Sequence, residues 1–125
     1  MPTEAEYTSA FLKKFRARYP RAVAYKINDR TTSGIPDTAI TDDGRSLWIE
    51  FKKDRPALTE IQRRQLLRLD NASDGRAVIV VFKKGRFADL YDASYETRGA
   101  LRTDVSWPDL IGMLADILRD GTAWQ

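Results

Sequence analysis

Two acidic residues and a lysine stand where a short β-hairpin would bring them together. Asp37 ends the segment 34–37 (GIPD), and Glu50 and Lys52 belong to the segment 48–52 (WIEFK). Carboxylate oxygens are the ligands that hard divalent cations prefer, and a lysine beside them can stabilise negative charge. The three side chains therefore suggest chemistry on an anionic group, provided that the chain places them on one surface.

The register of the hairpin decides that placement. Asp43-Gly44 is a strong signal for a two-residue turn, because both central residues of a type I′ turn need positive φ. With that turn Asp37 faces Glu50, with Cβ atoms about 5 Å apart, and the period of two along a strand puts Lys52 on the same face. Opposed carboxylates repel each other, so the pattern predicts a divalent cation between them, with Lys52 as a second compensating charge.

A plainer interpretation of the same pattern is two solvated surface acids balanced by Lys52 or Lys53. The second strand argues against it, because the residues that alternate with the polar ones are apolar and should enter the core: Leu47, Ile49 and Phe51. A strand that is buried on its reverse face belongs to a packed sheet, and this favours the cation site.

The composition narrows the chemistry further. The 125 residues include no cysteine and no histidine, which excludes thiolate nucleophiles, Ser-His-Asp triads and metal sites built on sulfur or imidazole. Any metal must be held by oxygen, as Mg²⁺, Mn²⁺ and Ca²⁺ are. The lack of cysteine, the polar acidic N-terminus and the lack of a long apolar run predict a cytoplasmic protein without a membrane segment.

The net charge of +3 is unevenly distributed. Residues 1–86 carry 18 Lys and Arg against 11 Asp and Glu, whereas residues 87–125 carry 3 against 7. This asymmetry has two interpretations, a basic face for a polyanion or the ordinary scatter of solvated charge.

The hydrophobic pattern predicts one α/β domain, residues 1–125, with a core at about 4–91 and a C-terminal loop and helix at 92–125. Its order is helix, three strands, helix, two strands, helix, which gives a mixed sheet of about five strands flanked by helices. Residues 92–105 give no clear signal. The predicted segments are helix 4–19, strands 22–27, 38–41 and 46–51, helix 59–72, a strand buried on both faces at 77–82, an edge strand at 87–91, and a helix from Ser106 to Gly121.

These residues resemble a known family. Pro36-Asp37 followed by Glu50-Phe51-Lys52 is similar to the motif of the PD-(D/E)XK nuclease superfamily. The segments 28–30 (NDR) and 58–62 (LTEIQ) resemble its VRR-NUC branch, which includes small stand-alone phage and bacterial proteins related to Holliday-junction resolvases. The resemblance covers residues 4 to about 82 and implies a restriction-endonuclease-like core.

The resemblance also implies an activity. It predicts a metal-dependent DNA endonuclease in which Asp37, Glu50 and the backbone carbonyl of Phe51 hold Mg²⁺ or Mn²⁺, and Lys52 stabilises charge or deprotonates the nucleophile. The expected substrate is branched DNA such as a Holliday junction, and the expected assembly is a homodimer. The alternatives are a restriction-type, repair-type, RNA-directed or general nuclease on the same core, or a DNA-binding module without turnover.

Two further polar residues allow both a structural and a functional interpretation. Glu4 lies on the inward side of the first helix, so it is either a metal ligand or a first-turn acid favoured by the helix dipole. Gln62 has the capping-box spacing to Thr59, and it is also a candidate catalytic residue that acts on water or phosphate. Glu6, by contrast, is best explained as the capping-box partner of Thr3.

Basic residues near these segments are the candidate phosphate contacts. Each one taken singly is also explained as an ordinary surface charge. The set comprises Arg30, Lys53, Arg55, Arg63, Arg64 and Arg68.

Overall fold

A six-stranded β-sheet with helices on both faces forms the frame of the protein. The computed structural model describes residues 2–27 and 33–122, except for the side chains of residues 97 and 98. The strands lie in the sheet in chain order. The elements are α1 (Glu4–Arg18), β1 (Val23–Lys26), β2 (Thr38–Asp42), β3 (Arg45–Lys53), α2 (Glu60–Ala72), β4 (Ala77–Lys83), β5 (Phe87–Asp92), α3 (Tyr95–Arg98), β6 (Arg102–Ser106) and α4 (Trp107–Asp120).

The sheet is mixed, as predicted. β3 and β4 run parallel, and the four other neighbouring pairs are antiparallel. Parallel neighbours need a crossover connection, and α2 supplies it. From Ala77 to Phe82, β4 is apolar and fully buried, as expected of an interior strand covered on both faces.

Each face of the sheet carries its own apolar cluster. α1 and α4 cover one face, where Phe51 and Phe82 stack with ring centroids 5.3 Å apart. α2 covers part of the other face with Leu66, which is buried in one cluster with Ile79 and Val81. Phe51 and its neighbour Glu50 therefore project to opposite faces, so the site lies on the side of α2.

The helix boundaries follow from the predicted caps. Thr3 and Glu6 form a capping box at the start of α1, and Thr59 and Gln62 form another at the start of α2. α4 begins after Ser106, whose hydroxyl accepts a hydrogen bond from a first-turn amide. None of the helices in the described ranges is long and apolar enough to cross a membrane.

The region 92–105 corrects the predicted strand count. It contains α3 and most of β6, and β6 pairs with β5, so the strand predicted at 87–91 is interior and not an edge. β6 gave no alternating apolar signal because Val105 is the only one of its five residues that is buried. Its ladder to β5 also contains a register shift.

α2 differs from the prediction at one core position. Leu66 is buried, and Leu58 and Leu69 pack partly buried against the same cluster. The apolar positions of the predicted helix 59–72 also include Ile61 and so predict it in the core, but it is 50 % exposed. The helix covers the sheet only with the side that carries Leu66, and Ile61 lies at the rim of that side.

β1 forms the first edge of the sheet. Ile27 donates its amide to Asp37 on the β2 side, so alternation turns the backbone carbonyl of Ala24 outward. That carbonyl accepts a hydrogen bond of 2.8 Å from the Arg16 guanidinium of α1. The side chains of Val23 and Tyr25 are exposed.

Arg76 links the C-terminal ends of α2 and α4. Its side chain is buried and donates to the carbonyls of Leu118 and Arg119 at the end of α4, at 2.7 and 2.9 Å. It also donates to the carbonyls of Ser73 and Asp74 after α2, at 2.9 and 3.4 Å. One guanidinium thereby satisfies carbonyls that have no partner within their own helices.

Candidate active site

The β2–β3 hairpin has the predicted register. Asp42 pairs with Arg45 across a turn in which Asp43 has φ 51° and Gly44 has φ 74°, as a two-residue turn with two left-handed residues requires. Asp37 directly precedes β2. Continuing the ladder by one position places it opposite Glu50 of β3.

Glu50 is a buried carboxyl group with a perturbed pKa. It is 7 % exposed. Burial raises its pKa to about 7, and the negative charge of Asp37 adds to the increase, with a smaller contribution from Glu4. Lys52 acts in the opposite direction, because its charge and hydrogen bond favour the carboxylate. The site therefore concentrates negative charge where solvent does little to screen it.

Lys52 connects this strand to α2. Its Nζ lies 3.5 Å from Oε2 of Glu50 and 3.4 Å from Oε1 of Gln62. The same Gln62 oxygen accepts a hydrogen bond of 3.0 Å from the Thr59 amide in the capping box. The structural interpretation of Gln62 is thus confirmed, and the same bonds hold its side chain beside Lys52.

The segment before β2 is fixed by a close approach to α2. Gly34 has φ 79°, and a Cβ built on it would lie 2.8 Å from the backbone oxygen of Ile61, so no other residue fits without a shift. The Thr38 hydroxyl donates to the Asp37 carboxylate at 3.1 Å. Sequence reasoning did not single out Gly34 as a contact, although a glycine two residues before a proline was the signal available.

A backbone carbonyl adds a third oxygen. The amides of Trp48 and Asp54 bond to carbonyls on the β4 side, so alternation turns the carbonyl of Phe51 toward the β2 side. The hairpin register places Pro36 opposite Phe51, and proline has no N–H to donate to it. The hairpin ladder therefore does not use this carbonyl.

The donor set suits a hard cation. Asp37, Glu50 and the Phe51 carbonyl supply oxygen only, and Mg²⁺ typically takes one or two carboxylates and completes its shell with water. A cation would also offset the burial and the repulsion that raise the pKa of Glu50. Within residues 2–27 and 33–122, no three acidic side chains form a group arranged to hold a metal ion. Glu4 is exposed and acts on Glu50 through its charge, and its role as a ligand stays a prediction.

Some of the basic residues predicted to contact phosphate already pair with other groups of the protein. Arg63 pairs with Glu60 at 2.6 Å and with Glu96 at 3.1 Å, and Arg64 pairs with Glu60 at 3.1 Å. The Lys53 ammonium donates to a backbone carbonyl near the N-terminus at 2.9 Å. Two more members of the set, Arg55 and Arg68, are exposed, and Arg30 lies outside the described residues.

Comparison with solved structures identifies the frame that carries this site. The chain is similar to the solved structure of Hjc from Archaeoglobus fulgidus, a Holliday junction resolvase from an archaeal hyperthermophile, with a TM-score of 0.54. The match covers 83 % of this chain and 99 % of that chain at 13 % sequence identity. The fold is restriction-endonuclease-like.

Sequence comparisons add no closer assignment. No protein-family model matches the chain. No curated protein sequence matches it either. The restriction-endonuclease-like fold is therefore shown by structure, and at this level of identity the likeness extends to the fold alone. The VRR-NUC resemblance stays a prediction.

Proposed function

We propose that the protein is a metal-dependent DNA endonuclease of the PD-(D/E)XK type, similar to the VRR-NUC branch, that acts on branched DNA. The observation that carries the proposal is the buried Glu50 beside Asp37, with the Lys52 ammonium 3.5 Å away. A buried acid whose pKa is raised by burial and by a neighbouring carboxylate is unfavourable for a protein that only folds, and it suits one that binds a cation. The likeness to a protein named as a Holliday junction resolvase supports the choice of substrate.

Asp37, Glu50 and the Phe51 carbonyl would hold Mg²⁺ or Mn²⁺. Such an ion, when bound, acts as a Lewis acid toward a phosphoryl oxygen and lowers the pKa of bound water. Lys52 would stabilise the negative charge that develops on the phosphate, or accept a proton from the nucleophile, and Gln62 holds it in place. Because Glu50 must be ionised to bind a cation, its raised pKa should make cation binding compete with protons near neutral pH.

The substrate would be held by basic side chains around this site. Arg55 and Arg68 are exposed and ready for phosphate contact, whereas Arg63 and Arg64 would exchange Glu60 for phosphate. The positive charge of residues 1–86 predicts binding that weakens steeply with salt, since each neutralised phosphate releases counterions. Arg30 and Lys53 belong to the same proposed surface.

A homodimer is the assembly that suits a four-way junction, which has two equivalent strands to cut. A C₂ dimer would supply two sites related by the symmetry of that substrate. Light scattering with and without junction DNA tests this part of the proposal. A protein that stays monomeric on the junction would act as a nuclease with one cut per binding event.

A cleavage panel tests the function. Duplex, single-stranded, flap and four-way junction DNA are incubated with the protein in Mg²⁺ and in Mn²⁺. We expect junction cleavage, and a loss of about 100-fold or more in Asp37→Asn, Glu50→Gln and Lys52→Met, because the two acids would hold the cation and Lys52 would stabilise charge on the reacting phosphate.

The matched control is Asp43→Asn, since Asp43 lies at the hairpin turn with a 92 % exposed side chain, and asparagine tolerates its positive φ. The control should cut at the parental rate. Equal cleavage by parent and Glu50→Gln would overturn the site. DNA binding without any cleavage would reduce the protein to a binding module.

A further inference from the structure

Part of the sheet face that carries Glu50 is open. α2 packs over β4 through Leu66, Ile79 and Val81. At the β1 side of the same face, Val23 is 59 % exposed and Tyr25 is 41 % exposed. Among the described residues, the open area of this face lies at β1, the edge strand.

An aromatic row crosses this open area one step from the acids. Tyr25 pairs with Ala39, and Ala39 pairs with Trp48, so the three side chains lie side by side on one face. Asp37 and Glu50 form the next row on that face. From the strand spacing and the rise along a strand, the Cα atoms of Tyr25 and Glu50 are roughly 12 Å apart.

A small residue separates the two aromatic side chains in this row. Ala39 has no exposed surface although it lies on the open face, and its cross-strand neighbours there are Tyr25 and Trp48. Trp48 also packs partly buried against the cluster below α2. The row is therefore a continuous apolar strip that runs from the exposed Tyr25 to the base of α2.

The Tyr25 hydroxyl reaches across to the neighbouring strand. Its hydroxyl lies 3.4 Å from the hydroxyl of Thr41, two residues further along β2 than Ala39. Thr41 is in turn 2.9 Å from the hydroxyl of Ser46 on β3. The Tyr25 side chain therefore extends toward β2, and 41 % of the residue stays accessible to a ligand.

We propose that Tyr25 and Trp48 form a stacking platform for an unstacked nucleobase of the DNA strand that is cut at Asp37 and Glu50. Aromatic side chains bind bases of any sequence because every base has a π-face. A base inside continuous duplex is already stacked on its neighbours, so the platform selects nucleotides at branch points, flaps and single-stranded ends. This inference rests on the proposed nuclease function and names the feature of the substrate that the site selects.

A basic residue borders the platform on the side of α2. Ile61 contacts Gly34 and so faces the β2 side of the sheet, and Arg68 lies two helical turns further on the same side. Arg68 is exposed. It is placed to contact the phosphate of the nucleotide whose base lies on Tyr25, which a purely apolar protein interface would not need.

The test measures binding without cleavage. Flap and four-way junction DNA with 2-aminopurine at the branch point, and a duplex of the same sequence, are titrated with protein in the absence of divalent cations. We expect the parent to change the fluorescence of the branch-point probe and to bind branched DNA more tightly than duplex. Tyr25→Leu should weaken branched-DNA binding by about 5- to 100-fold and leave duplex binding within about twofold, because only the unstacked base loses its partner.

Two controls isolate the ring. Tyr25→Phe keeps the π-face and loses the hydroxyl, so it should retain most of the preference. Val23→Ala removes an exposed apolar side chain from the same strand and should bind as the parent does. Circular dichroism confirms that each variant folds.

The outcomes separate this inference from the proposed function. Cleavage by the parent together with an unchanged branched-DNA preference in Tyr25→Leu overturns the platform and leaves the nuclease. Selective loss of branched-DNA binding in a protein that never cuts supports the platform and overturns the nuclease. Self-association of the parent that Tyr25→Leu abolishes, without an effect on DNA, would make this face a protein interface and overturn the platform.

Discussion

Two buried charged side chains, Arg76 and Glu50, lie near the β3–β4 pair and have opposite environments. Arg76 is 9 % exposed and donates four hydrogen bonds to backbone carbonyls. Glu50 is 7 % exposed, and its neighbours are the like charge of Asp37 and a lysine 3.5 Å away. The two side chains are buried to a similar extent. The charge of Arg76 is compensated by hydrogen bonds, whereas the charge of Glu50 is compensated only in part.

The difference separates a structural charge from a functional one. Fixed carbonyl dipoles around Arg76 replace the water that it lost, so the guanidinium holds two helix ends together at little cost. Glu50 lost its water without an equivalent replacement, which is why its pKa rises to about 7. A ligand that carries positive charge would restore the balance, which is what the proposed cation at Glu50 would do.

The largest expected effect tests the structural side of this comparison. Arg76→Met should lower the free energy of unfolding by about 3 kcal/mol, because the carbonyls at the ends of α2 and α4 lose their donor while staying buried. Thermal and urea denaturation measure the change.

The control for Arg76 is Arg21→Met, which removes an exposed arginine and should change stability little. Cleavage per folded molecule should be the same in both variants and the parent. A stable Arg76→Met protein would show that the bonds to Leu118 and Arg119 contribute little, and the comparison would lose its structural half.

The second expected effect depends on pH, and here the substitution raises stability where Arg76→Met lowers it. Between about 4.5 and 7, folded Glu50 keeps a proton that the unfolded chain releases, so the metal-free protein loses stability as pH rises through this range. Above pH 7 the ionised, buried Glu50 lowers the free energy of unfolding by its full amount, roughly 3 kcal/mol. Glu50→Gln removes it, and we expect this variant to be more stable than the parent at pH 8 and similar at pH 4.5.

Denaturation of both proteins in EDTA at several pH values measures this difference. Asp43→Asn is again the matched control, because it removes a fully solvated acid from the same hairpin. Added Mg²⁺ should stabilise the parent at pH 8 and have less effect on Glu50→Gln. If the stability of the parent rises between pH 5 and 8 relative to Glu50→Gln, ionised Glu50 does not destabilise the metal-free protein, and this prediction is wrong.

The smallest effect uses the two capping boxes as a matched pair. Gln62→Ala and Glu6→Ala each remove the reciprocal bond to the first residue of a capping box, and each should lower stability slightly and to a similar extent. Only Gln62 also contacts Lys52, at 3.4 Å. Gln62→Ala should therefore lower kcat by several-fold, with Glu6→Ala unchanged.

Stability and single-turnover cleavage of the two capping variants are compared under identical conditions. Equal cleavage by both would restrict Gln62 to its capping role. A loss of cleavage by both in proportion to their stability would show that the effect acts through folding.

The sequence was informative where local chemistry determines structure. The Asp43-Gly44 turn sets the register of the hairpin, since its two left-handed residues permit one short connection, and the register places Asp37 and Glu50 together. Both capping boxes and the apolar β4 were likewise predictable from spacing and periodicity alone.

The remaining features depend on tertiary packing. β6 is stabilised by pairing with β5 and by one buried side chain, Val105, so it has no periodic signal of its own. The role of Arg76 depends on carbonyls about 42 residues away in the chain, which no local pattern contains. The exposure of Ile61 depends on how α2 is rotated over the sheet, and that rotation is set by packing around Leu66.

The hydrogen bond from Arg16 to Ala24 has a consequence for how copies of the chain can associate. An unprotected sheet edge is a template to which a second chain can add a strand and begin an aggregate. Here a charged side chain already occupies an outward carbonyl at the middle of β1. A second copy would have to displace that guanidinium before extending the sheet at β1. A homodimer should therefore form through another surface, and β1, which carries Tyr25 of the platform, should stay accessible to DNA.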